Sequence, residues 1–110
     1  MSNIPEPTMH ALVHNSSGLL YGGVLEYSTG KIEMVYPAVL QIQEPTRGRT
    51  HGTVQVNIAM VPLFGTPSRI VVHGQFTVID IRDVEKIVRE PIEENYKQYL
   101  AKARAGIVLV

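Results

Sequence analysis

The chain contains no cysteine. Disulfides and thiolate metal sites are therefore excluded, and nothing points to an oxidising compartment. It is also poor in charge: charged residues make up 18% against 45% hydrophobic, and ten basic and ten acidic residues cancel to a formal net charge of zero. No bulk attraction to nucleic acid or to a membrane surface is expected from that balance. No run of apolar residues approaches the ~20 that a membrane-spanning helix needs. The opening MSNIPEPTMH lacks a basic region followed by an apolar one, so no signal peptide is read there. No Ser/His/Asp set and no paired carboxylates stand out, so nothing supports an enzyme. The expectation is a soluble, cytoplasmic, non-enzymatic protein with no cofactor and no metal.

What is there is a chain of 110 residues, the size of one domain. Such a chain buries roughly two-thirds of its unfolded surface, enough for a core. Its apolar richness suggests that some apolar surface is covered by a partner subunit. Residues 1–8 carry two prolines and read as a flexible arm. MHALVHN (9–15) alternates with period two and reads as a strand. NSSG (15–18) is a turn, and LLYGGVLEY (19–27) a second strand with Leu19, Tyr21, Leu25 and Tyr27 on one face. Gly22 and Gly23 inside it mark a sharp bend or bulge. After STGK (28–31), IEMVYPAVLQIQ (32–43) is a long third strand, in which Pro37 requires an edge or a bulge.

EPTRGRTHG (44–52) reads as a polar loop and TVQVNIAM (53–60) as the fourth strand. IVVHGQFTVIDI (70–81) reads as a fifth strand bent at Gly74. Leu25, Met34, Val56, Ile58 and Val72 are the expected inward set. Short strands at this spacing argue an all-β barrel or sandwich. PIEENYKQYLAKAR (91–104) then places Ile92, Tyr96, Tyr99, Leu100 and Ala103 at helical spacing. Pro91 suits a first helical turn, with Glu93 and Glu94 near the N-terminal end and Lys102 and Arg104 near the C-terminal end. Gly106 is a plausible C-cap. DVEKIVRE (83–90) is ambiguous between a short helix and a strand extension.

About five bent strands followed by one helix, with two glycine motifs, resemble the Sm-like (Sm/LSm/Hfq) family. Gly23 and Leu25 match its first motif, with the turn at 28–31 in place, Ile32 where the family has Met, and Met34 opening the apolar strand. Val72-His73-Gly74-Gln75 is similar to a divergent second motif, followed by Val78 and Ile81. The resemblance implies a mainly β fold: a small, strongly bent, five-stranded Sm-like (SH3-like) barrel over 9–82 with an insert at 44–69. The C-terminal helical extension, 83–110, is added to it. It also implies a cyclic homo-oligomer of about five to seven subunits, closed by strand-edge pairing through 53–61 and 76–82.

In the family the two motif loops meet at the ring's pore and bind uridine-rich, single-stranded RNA. Carried over, the RNA-binding candidates are Lys31, Glu33, His73, Gly74 and Gln75. This chain departs from the pattern at each polar position. Lys31 takes the stacking position, Glu33 replaces the base-reading Asn, Thr29 replaces its supporting Asp, and His73 replaces Arg. His73 and Gln75 can still stack and hydrogen-bond, while Glu33 opposes phosphate. An ordinary hairpin explains His-Gly-Gln equally well, and Lys31 next to Gly30 is most often a solvated turn residue. Two functions stay open: a ring with weak RNA binding at the pore loops, and a ring-forming structural or interaction module without nucleic acid.

Other features have plainer explanations. His10 and His14 have the spacing of a metal-binding helix, but on a strand such residues lie roughly 13 Å apart, too far to share an ion. GGVLEYSTGK lacks the spacing and the Ser or Thr of a phosphate loop. Arg47, Arg49 and His51 form a small basic loop of the kind that is usually only soluble. Tyr96 and Tyr99 suit helix packing better than base stacking.

Overall fold

The computed structural model describes residues 6–47, 54–63 and 67–105, with the side chains of 42–47 and 54–57 outside that description. Six strands and one long helix appear: β1 (Met9–Asn15), β2 (Gly18–Ser28), β3 (Lys31–Arg47), β4 (Val54–Pro62), β5 (Arg69–His73), β6 (Thr77–Asp80) and α1 (Lys86–Arg104). Every pairing is antiparallel. The sheet runs β4-β3-β2-β1-β6, and β5 also pairs with β3. No helix among the described residues is long and apolar enough to cross a membrane.

The expected single fifth strand is two strands. Gly74, at φ 111°, turns the chain, so that β5 lies on β3 and β6 lies on β1. Only residues 74–76 join them. From His73 to Thr77 the backbone reaches at most about 14 Å. In a flat sheet β5 and β6 would lie four strand spacings apart, about 19 Å. The sheet must therefore curl strongly. It is not closed: among the described residues no ladder joins β5 to β6.

β3 serves two neighbours on one edge. Lys31 to Val35 pair with β5, and Ala38 to Arg47 pair with β4. The switch falls at Tyr36-Pro37, where β3 carries an extra residue against β2 and Tyr36 adopts φ 45°. Pro37, which cannot donate to a ladder, thus sits at a bulge as expected. β3 also runs on to Arg47, so 44–47 belong to a strand rather than to a loop, and the expected insert contains the whole of β4. Residues 49 and 51 of the basic loop, like the side chain of Arg47, lie outside the described residues.

The paired glycines lie against the β3 bulge, and for a steric reason. A Cβ on Gly22 would stand 3.1 Å from the Pro37 Cα and from the Val35 carbonyl oxygen. On Gly23 it would stand 2.7 Å from the Pro7 Cβ and 2.9 Å from a Val35 methyl. The arm is thereby fixed at its inner end: Pro7 lies on Gly23, and the Thr8 N–H and hydroxyl both donate to the Val24 carbonyl, at 2.9 and 3.0 Å.

A second bulge changes the inward set. Val24 pairs with Met34 and Glu26 with Glu33, which leaves Leu25 as the extra residue on β2. Val24 is buried in the position expected for Leu25, which is only half-buried. The inner cluster is Ala11, Val13, Leu20, Val24, Ile32 and Met34, with Val72 packed against it. Ile58 belongs to the other side of the sheet, and the side chain of Val56 lies outside the description.

That other side is covered by α1. Leu12, Tyr21, Ala38, Leu40 and Ile81 meet Ile92, Tyr96 and Tyr99, so β1 and β2 are buried on both faces. The apolar helical spacing seen in the sequence is the face that packs here. The helix begins at Lys86, five residues before Pro91, which settles 83–90 as a 3-10 turn (Ile81–Asp83) and the start of the helix. Pro91 is inside the helix rather than in its first turn, and Glu93 pairs with Arg89 one turn earlier. Lys102 and Arg104 occupy the last turn, while Gly106 lies outside the described residues.

Candidate functional site

Two turns meet at one end of the sheet. The β2–β3 turn places Gly30 at φ 82° and the β5–β6 turn places Gly74 at φ 111°, a region open to glycine at little cost. The Gly74 N–H donates to the Gly30 carbonyl at 3.0 Å, which ties the turns together. Beside them lies an open cleft of about 660 Å³ lined by Tyr27, Ser28, Thr29, Gly30, Gly74, Gln75, Phe76 and Val78. Its volume is in the range of small-molecule sites.

The sequence-derived candidates divide into two groups here. Lys31 lies directly opposite His73, and Glu33 opposite Val71. Lys31 and Glu33 alternate with Ile32 and Met34, whose side chains fill the inner cluster, so both face away from it. Gly74 and Gln75 instead line the cleft. His73 borders a different cleft, of about 570 Å³, lined largely by apolar residues between Asn15, Leu63 and β5.

Glu33 is not a free carboxylate. The Arg69 guanidinium donates to it at 2.6 Å, and that hydrogen bond, with the guanidinium charge, holds its carboxyl below the usual range. Its opposition to phosphate is thus largely answered locally. The sequence did not single out Arg69, because its partner is 36 residues away and only the β3–β5 register places the two side by side. It also missed Tyr27 and Phe76. The aim of Tyr27 depends on the Leu25 bulge, which leaves no mark in the alternation of residues.

A second polar cluster lies where α1 meets β1. A pocket of about 230 Å³ is lined by His10, Tyr21, Ile81, Glu93, Tyr96, Lys97 and Leu100. The His10 ring stacks on Tyr21 at 6.2 Å and meets the edge of Tyr96 at 5.7 Å. Burial pushes the His10 imidazole below its ordinary value and Arg104 adds to this, while Glu93 opposes it. Burial also pushes the Tyr21 and Tyr96 hydroxyls well above their ordinary range. These tyrosines stay neutral, and Tyr96 and Tyr99 act through their hydroxyls as donors: Tyr96 to the Tyr36 carbonyl at 2.9 Å, Tyr99 to the Pro37 carbonyl at 3.0 Å. Among the described residues no three His, Asp or Glu side chains are grouped to hold a metal ion.

Set against known proteins, the chain matches no family model, no curated protein and no solved structure.

Proposed function

We propose that this chain is a divergent Sm-like protein that assembles into a homo-oligomeric ring of about five to seven subunits and binds single-stranded RNA weakly near its two clamped turns. The observation that carries the reading is the Gly74 N–H bond to the Gly30 carbonyl, which joins the turn that follows the Gly23–Leu25 motif to the glycine of the second motif. The strand order adds support. β4 and β6, which carry the expected ring pairing through 53–61 and 76–82, each have one edge without a ladder among the described residues, as does β5, and exposed Val61, Ile79 and Val71 lie on them. Free edges of this kind pair with another chain, and a heterologous pairing closes only as a cycle. Lys31 and His73 supply cationic and aromatic groups beside the turns, and Gln75 supplies an amide for a base edge.

The second reading, a ring that binds no nucleic acid, is favoured by one feature: Arg69, the arginine of β5, is held by Glu33. Native mass measurement together with titration of a short uridine-rich RNA at low and moderate salt separates the readings. A ring whose RNA affinity falls steeply with salt supports RNA binding. A ring with no affinity at low salt supports the structural module, and a monomer at micromolar concentration removes both.

A further inference from the structure

The Leu25 bulge decides where Tyr27 points. On an unbroken strand Val24 and Glu26 would share the inner face and Tyr27 would face out. With Leu25 as the extra residue, Val24 pairs with Met34, Glu26 with Glu33 and Tyr27 with Ile32. Met34 and Ile32 are both completely buried in the inner cluster, so their partners Val24 and Tyr27 lie on that side. Tyr27 nevertheless remains 53% exposed, because it projects beyond the cluster into the mouth of the curled sheet. Bulges commonly re-aim one side chain in this way beside a functional site.

The surroundings suit a flat ligand. Tyr27 and Phe76 line the cleft together with Gly30 and Gly74, whose missing side chains leave bare backbone. A Cβ on Gly74 would meet nothing within 4 Å, so the space beside it is open. Among the described residues the Tyr27 hydroxyl takes part in no hydrogen bond, and its ring belongs to neither apolar cluster. An exposed aromatic ring that shares a cleft with a side-chain amide at Gln75 is the pairing that single-stranded nucleic acids use: a face for the base and a group for its edge.

We propose that Tyr27 is the stacking platform of this cleft, with a nucleobase lying on its ring and its edge turned toward Gln75. The inference rests on the RNA-binding reading but moves the base from Lys31, on the opposite face of the sheet, to Tyr27. Lys31 and His73 then meet the backbone of the same strand rather than its bases.

The test is titration of a uridine-rich RNA against wild type, Tyr27→Ala, Tyr27→Phe and the pair Lys31→Ala and His73→Ala, with melting curves for each. An abasic oligonucleotide of the same length serves as control. Tyr27→Ala should bind the RNA roughly 5- to 100-fold more weakly, and Tyr27→Phe within about 3-fold of wild type. The abasic strand should bind wild type and Tyr27→Ala alike, and Tyr27→Ala should melt as wild type does. If wild type binds RNA and Tyr27→Ala binds it equally, the Tyr27 platform is wrong while RNA binding stands. If wild type binds no RNA, both fall together. A Tyr27→Phe loss as large as that of Tyr27→Ala would also overturn stacking, since the ring is retained.

Discussion

The Tyr99 hydroxyl donates to the Pro37 carbonyl at 3.0 Å, 62 residues back along the chain. Tyr96 does the same for the neighbouring carbonyl of Tyr36. At this point β3 leaves β5 for β4, and its backbone is bulged against β2. The two carbonyls find donors on the helix. α1 is therefore fastened to the sheet at its most irregular point, by polar groups within an apolar interface.

Removing either hydroxyl leaves a carbonyl without its donor. Tyr96→Phe and Tyr99→Phe should each cost about 1–2 kcal/mol in urea unfolding. The double variant should depart from the sum, because the carbonyls belong to adjacent residues. Wild-type stability in both single variants would mean that water replaces the hydroxyls.

Gly22 and Gly23 should respond differently to the same added methyl. At Gly22 it meets the β3 backbone, which cannot yield, so Gly22→Ala should destabilise by roughly 1–3 kcal/mol. At Gly23 the closest atoms are those of Pro7. Gly23→Ala should push the Pro7 arm away, and Pro7→Gly should recover part of the loss. Thermal melts of the three variants and of the Pro7→Gly, Gly23→Ala pair give the cycle. No recovery in the pair would place the conflict at Val35 instead.

Pro91 interrupts the backbone ladder of α1, since it has no N–H for the carbonyl four residues earlier. Pro91→Ala restores that donor in a helix that already begins five residues before it. The unfolded chain gains freedom from the same change, which offsets part of the benefit. A net gain of about 1 kcal/mol is expected, visible as a rise in Tm of a few degrees. A fall in Tm would show that the ring fills space the helix needs.

Acid should loosen the helix interface through His10. Its folded-state pKa lies below the ordinary 6.5, chiefly because burial penalises the charged form. The unfolded chain therefore binds the proton first, and stability falls as pH drops below about 6.5. Around the ring, Glu93 moderates the effect while Lys97 and Arg104 oppose a second positive charge. Tyr21 and Tyr96 remain neutral throughout. Denaturation from pH 8 to pH 5 should show this slope, and His10→Phe should flatten it. An unchanged slope would remove His10 as its source; Asp80, whose pKa is held down to about 2 beside Arg82, loses its contribution only in stronger acid, below this window.

The local signals in the sequence carried further than the long-range ones. Alternation located β1, β2 and the start of β3, and the helical period named the buried face of α1, because both patterns repeat within a few residues. Gly74 was readable as a break, but not as a change of partner strand, which depends on where β1 and β3 lie in the curled sheet. Leu25 was misplaced by one position because a bulge shifts the phase without changing the residue types. The helix was read from Pro91 with 83–90 left open between helix and strand, because proline is favoured in a first turn; in the structure Val88 packs with Ile92 against the sheet and the helix starts at Lys86. Of the candidate site, the meeting of the two turns was an expectation that came from the Sm-like resemblance, not from the residues themselves. The Glu33–Arg69 pair and the aim of Tyr27 were not legible, since both follow from register.

The division of the last two strands also orders the folding reaction. The β1–β2 and β2–β3 ladders close short loops and form at low entropic cost. The β1–β6 ladder joins residues 11–14 to residues 77–80, the widest separation of any ladder among the described residues, and so carries the largest closure cost. Contacts of such wide separation slow a chain's arrival at the native state. Until β6 docks, β1 keeps one edge bare in a chain that is already largely sheet. The slowest species is thus also the stickiest one, so refolding yield should fall as protein concentration rises.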